Sequence, residues 1–117
     1  MSVLDTQVGG DHYKGFLMQP VVFVTQNKIG FLPGCVIKRA CRYDRPGGKG
    51  RQDLEKIVHE LQLMHELNYV GRWVDLGIMH EFCYLNSLTD DQATIIRHTL
   101  AGDISSALAT VDKLLLK

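Results

Sequence analysis

The sequence predicts an all-α fold: a compact helical bundle with an irregular Gly-rich N-terminal arm and a C-terminal helical hairpin. Two observations carry this. Between Leu54 and Met64 the apolar residues recur at three- and four-residue spacing, the period of an amphipathic helix. Thr89, Gln92, Gly102 and Asp103 then supply start and stop signals for two short helices in succession. A chain of 117 residues can bury a core without disulfide or metal staples. It divides into residues 1–74, a helical domain, and 75–117, a C-terminal hairpin appended to it.

The elements follow in order. Residues 1–19 are polar and Gly-rich, and read as an extended arm or loop. Pro20 suits a first helical turn, where its missing N–H costs nothing. Val21 to Lys28 forms a short helix, although its valine content leaves a strand open. Gly30 ends it. Pro33-Gly34 opens a second helix, about Cys35 to Tyr43, with Val36, Ile37, Ala40 and Cys41 facing inward. Lys38, Arg42 and Arg45 occupy helical spacing on its other side. Arg45-Pro46-Gly47-Gly48-Lys49-Gly50 must be a loop.

Gln52 starts the longest helix, expected to reach about Val70 and at most His80. Leu54, Ile57, Leu61 and Met64 make one apolar stripe; Leu63, Leu67, Val70 and Val74 make a second. A helix apolar on two sides is buried on two sides, here by its own domain and by a partner subunit. A homo-oligomer is therefore expected. Gly71 and Gly77 weaken the far end of this helix. In the tail, Thr89 caps Ala93 to Ala101, Gly102 closes it, and Asp103 caps a last helix whose Ile104, Ala107, Leu108, Val111, Leu114 and Leu115 face inward.

Composition excludes several classes. Hydrophobic content of 45% and charged content of 22% are those of a soluble globule. No apolar run approaches a membrane span. Three cysteines (Cys35, Cys41, Cys83) form no paired framework, and with no signal peptide they point to the cytoplasm. They fit burial as small apolar residues. A pI near 7.0 argues against specific nucleic-acid binding. The charge is uneven, however. Residues 38–56 carry net +4, seven basic against three acidic, and residues 75–117 carry net −3, three basic against six acidic. The two regions are expected to attract one another within a subunit or between subunits.

The basic stretch suggests a ligand. Lys38 and Arg42 stand one turn apart, and Lys49 sits in a glycine loop whose N–H groups can face an anion. Asp53 and Lys56 lie on the first turn of the next helix, whose N-terminus adds a positive dipole end. Together these groups could hold a phosphate or polyphosphate. The competing reading is a solvated basic face with an Asp53–Lys56 pair. Gly48-Lys49-Gly50 lacks the hydroxyl, the spacing and the preceding strand of a Walker loop. No metal or cofactor is expected: His59 and His65 are six apart, and Glu55, His59 and Glu66, or His80 with Cys83, read better as surface residues. The paired carboxylate motifs of the all-α nucleotide pyrophosphatases are missing. Tyr69, Trp73 and Tyr84 read as core or interface. Tyr13, beside His12 in a polar arm, is the better candidate for touching a ligand.

The order Asp11-His12-Tyr13, Gln19-Pro20, Gly34, Lys38, Arg42, Lys49, Asp53-Leu54 and Lys56 resembles a family of small phage proteins. These are described as of unknown function or as nucleotide kinases without a Walker loop. The resemblance covers about residues 9–70. Cys35 replaces a frequent Asn, Arg39 an aromatic, and Ile57 an Ala. The first change removes an amide that could touch a ligand, which bears on catalysis more than on binding.

The resemblance implies a nucleotide-kinase-like domain with His12, Tyr13, Lys38, Arg42, Lys49, Asp53 and Lys56 facing the ligand. Lys38, Arg42, Lys49 and Lys56 would hold phosphate, Tyr13 would meet the base or sugar, and His12 or Asp53 would orient the ligand. Catalysis would then follow phosphoryl transfer in nucleoside monophosphate kinases. The alternatives are a non-catalytic sponge that sequesters a nucleotide immune signal, an anti-defence role, and a module that docks a host protein.

Overall fold

The computed structural model describes Val3 and residues 15–117. Among them are six α-helices and no strand: α1 Pro20–Gln26, α2 Phe31–Arg42, α3 Arg51–Glu66, α4 Leu76–Leu85, α5 Asp90–Ala101 and α6 Ile104–Leu115. None is long and apolar enough to cross a membrane.

Helix α2 packs on α3, α3 on α6, α6 on α5, and α5 back on α2, so four helices close a ring. Its centre is filled by Val36, Ile37, Ile57, Leu61, Ile95, Leu100, Ala107 and Val111, all buried. Residues 75–117, expected as an appendage, thus contribute two of the four ring helices to one shared core. Helices α1 and α4 lie outside the ring, on α2 and α5. They meet through stacked Phe23 and Phe82 rings, with centroids 4.1 Å apart. Beside the stack, Met18 N–H donates to Asn86 Oδ1 (3.0 Å) and Asn86 Nδ2 donates back to the Met18 carbonyl (2.7 Å).

The helix ends explain where sequence boundaries shift. The longest helix stops at Glu66 rather than near Val70 or His80. Asn68 takes φ 60°, and the Tyr69 N–H returns to the Met64 carbonyl (2.9 Å), a Schellman closure. Gly71 then crosses the C-terminus of α5, where a Cβ would lie 2.8 Å from the Ala101 carbonyl oxygen. Asp75 starts the new helix α4 by accepting from Ile78 N–H (3.1 Å). The second apolar stripe is therefore broken: Leu67 and Val70 are exposed, whereas Val74 is buried.

Lys28 (φ 54°) and Ser87 (φ 52°) make the same closure after α1 and α4, with Ile29 N–H to Val24 and Leu88 N–H to Cys83 (both 3.0 Å). Gly30, expected to end α1, instead stands at the N-cap of α2. The tail follows its signals. Thr89 and Gln92 form a capping box, Gly102 closes α5 at φ 80°, and Asp103 caps α6.

The described bonds from residues 38–56 to residues 75–117 are hydrogen bonds rather than ion pairs. Arg45 donates to the Asn86 carbonyl, Arg51 to the Leu115 carbonyl (2.9 Å), and buried Gln92 to Asp44 (2.9 Å). Gln92 also donates to the Ala40 carbonyl (2.8 Å), tying the start of α5 to the end of α2.

Candidate anion-binding face on helices α2 and α3

Helices α2 and α3 form a hairpin about the loop 43–50. Arg39 and Arg42 are three residues apart on α2; Asp53 and Glu60 are seven apart on α3. Both spacings keep a pair on one helix face. Packed together, the faces place guanidinium against carboxylate. Arg42 donates to Asp53 Oδ1 from Nη2 (2.8 Å) and to Oδ2 from Nε (3.1 Å). Arg39 Nη1 adds a longer contact to Asp53 (3.4 Å). Arg39 Nε donates to both oxygens of Glu60 (3.0 and 3.1 Å).

Asp53 is fully buried. It also accepts from the Lys49 backbone N–H (3.0 Å). Burial acts to raise its pKa. The Arg42 hydrogen bonds, the Lys49 N–H, the Arg42 charge and Arg39 outweigh burial and hold the carboxyl below its ordinary 3.8. This carboxylate is ionised and saturated with donors.

That arrangement revises three expectations from sequence. The Asp53–Lys56 pair is replaced by Asp53 with Arg42 and Arg39. The positive end of α3 already has its anion, because Asp53 in the first turn reaches back to the loop. The glycine loop does not offer an open row of donors either. Gly48 N–H bonds the Arg45 carbonyl (2.8 Å), Lys49 N–H bonds Asp53, and Gly50 N–H bonds the Tyr43 carbonyl (3.1 Å). Gly48 is needed for close approach, since a Cβ there would overlap the Arg42 carbonyl.

Of the expected ligand-facing residues, Arg42 and Asp53 come together with each other. Lys38 is half-buried on α2, between Cys35 and Arg42. Lys49 and Lys56 are exposed, at the loop and on α3. Among the described residues these three ammonium groups have no ion-pair or hydrogen-bond partner. His12 and Tyr13 lie outside the described residues. Arg45 turns to the other side, 3.9 Å above the Phe16 ring.

Arg39 and Glu60 were not among the expected site residues. An Arg pair spaced by three facing an acid pair spaced by seven across a helical hairpin is the pattern that reveals them. Cys35 belongs to the same edge: burial raises its thiol above 9.0, Glu60 raises it further, and Lys38 and Arg39 oppose that.

The charge of this face can now be apportioned. Arg39 and Arg42 are matched by Asp53 and Glu60. Lys38, Lys49 and Lys56 remain as unmatched positive charge along it. Among the described residues, no group of three His, Cys, Asp or Glu side chains is placed to hold a metal ion. Trp73 and Tyr84, expected in the core or an interface, are 82% and 76% exposed. Compared with models of known families, with curated proteins and with solved structures, the chain matches none.

Proposed function

We propose that this is a phage-type protein of the host-cell cytoplasm that binds a nucleotide or nucleotide-like phosphate ligand on the α2/α3 face, as a homo-oligomer. One observation carries the reading: three lysine ammonium groups, Lys38, Lys49 and Lys56, stand without partners beside a network that has neutralised its arginines internally. Strongly hydrated point charges on flexible stems suit a phosphate that enters and is held. The arginine–carboxylate network keeps α2, the loop and α3 in register, so the lysines are carried on a rigid frame.

Sequestration suits this face better than phosphoryl transfer. Both carboxylates of the network are held by guanidinium groups, and Asp53 has no lone pair to spare for a proton or a metal ion. The ligand would therefore leave as it arrived.

The test is to incubate the protein with mono-, di-, tri- and cyclic nucleotides, then chromatograph the filtrate and the material released by heat. One nucleotide missing from the filtrate and returned intact by heating supports sequestration. New phosphorylated species growing with time would make it a kinase. An unchanged panel in both fractions would reject nucleotide binding.

A further inference from the structure

The solvent side of α4 carries exposed apolar side chains. Leu76, His80 and Tyr84 recur at four-residue spacing, with Leu76 69% and Tyr84 76% exposed. The His80 and Tyr84 rings stack with centroids 6.5 Å apart. Trp73, just ahead of the helix, is 82% exposed. Beside this ridge, α4 and α5 leave an open groove of about 320 Å³. Leu76, Met79, His80 and Cys83 form its α4 wall, so two residues of the ridge also bound the groove, and Ala93, Ile96 and Arg97 form its α5 wall.

We propose that this face is a two-fold homodimer interface in which the α4 ridge of each copy fills the α4/α5 groove of the other. A ridge and a groove side by side on one face are self-complementary, as an isologous contact requires. The charges fit the same operation. Glu81 lies on the flank of α4 turned away from the groove, and Arg97 lies on the far side of the groove; both are exposed. When a second ridge enters the groove, its outer flank meets the α5 side. Each Glu81 then faces Arg97 of the partner subunit, twice per dimer. The formal net charge of zero adds no overall repulsion between copies.

Tyr84 and Leu76 are the largest exposed apolar side chains of the ridge. A small molecule in the groove would leave Tyr84 in water; a second copy covers it.

Sedimentation of the full chain across a concentration series tests this. Variants Glu81→Arg, Arg97→Glu and the double exchange keep exposed positions exposed, so the fold is preserved. The expected result is a wild-type mass twice the 13.2 kDa chain. Each single reversal should raise the dissociation constant by about tenfold or more, and the double exchange should restore it. A wild type that stays monomeric at about 100 μM overturns the proposal. So do single reversals that leave the association unchanged, or a double exchange no better than either single.

Discussion

Replacing Asp53 with Ala removes a fully buried carboxylate from between two guanidinium groups. Arg39 keeps Glu60, its closer partner at 3.0 Å. Arg42, with a side chain only 11% exposed, loses its carboxylate. Removing one member of such a buried pair costs about 3–5 kcal/mol, here through the loss of the Arg42 Nε and Nη2 bonds to the carboxylate. The Lys49 N–H also loses its acceptor, but Lys49 is exposed and water can replace it, so that loss adds little. We expect about 3–4 kcal/mol in total.

Urea unfolding reads this directly. With a slope of about 1.5 kcal/mol per molar, the midpoint falls by roughly 2 M. Arg42→Ala should cost a similar amount. The double variant should cost less than the sum by about 2 kcal/mol, since both single changes remove the same Arg42–Asp53 interaction. Glu55→Ala is the control. It breaks the exposed Arg51–Glu55 pair (3.8 Å) and should stay within about 0.5 kcal/mol of wild type. An Asp53→Ala loss under about 1 kcal/mol, or strict additivity with Arg42→Ala, would refute the view that the network locks the hairpin.

Further expectations follow from the same geometry. Asp53 binds its proton less readily folded than unfolded, so stability gained from it is complete above the ordinary 3.8 and is lost as pH falls through the lower folded value. Urea midpoints of the wild type should drop across that acid window, and Asp53→Asn should flatten the drop. Gly48→Ala should cost several kcal/mol, roughly 2–4, because the Cβ meets backbone rather than a movable side chain; an unchanged melting temperature would show that the loop relaxes freely. Ser87→Gly should stabilise by about 1 kcal/mol, since Ser87 holds φ 52° against its preference; a destabilised variant would mean that the Ser side chain contributes something the αL strain does not outweigh.

Much of the fold was legible because its signals are local. Thr89, Gln92, Gly102 and Asp103 mark both tail helices by side-chain and backbone chemistry within four residues. The inward stripe Leu54, Ile57, Leu61, Met64 is buried for the same reason, one helical period read from sequence. What escaped were reversals made without glycine. Lys28, Asn68 and Ser87 all sit at positive φ, and a polar residue gives a much weaker stop signal than Gly102 does. Asn68 in particular let an apolar run from Leu63 to Val74 pass for one helix.

The basic stretch itself was visible, but its partition was not. Spacing along one helix shows that Lys38 and Arg42 share an edge, and leaves Arg39 unassigned. Which of them meets Asp53 and Glu60 depends on the register of α2 against α3, a tertiary fact. The face therefore divides into an arginine layer that holds the hairpin and a lysine layer that does not.

The most direct test of that division is nucleotide capture by the triple variant Lys38→Ala, Lys49→Ala, Lys56→Ala beside the wild type. Depletion of one nucleotide from the filtrate by the wild type, its intact return on heating, and loss of both in a triple variant with an unchanged urea midpoint is the predicted result. Equal capture by both proteins would contradict the claim that these lysines hold the ligand.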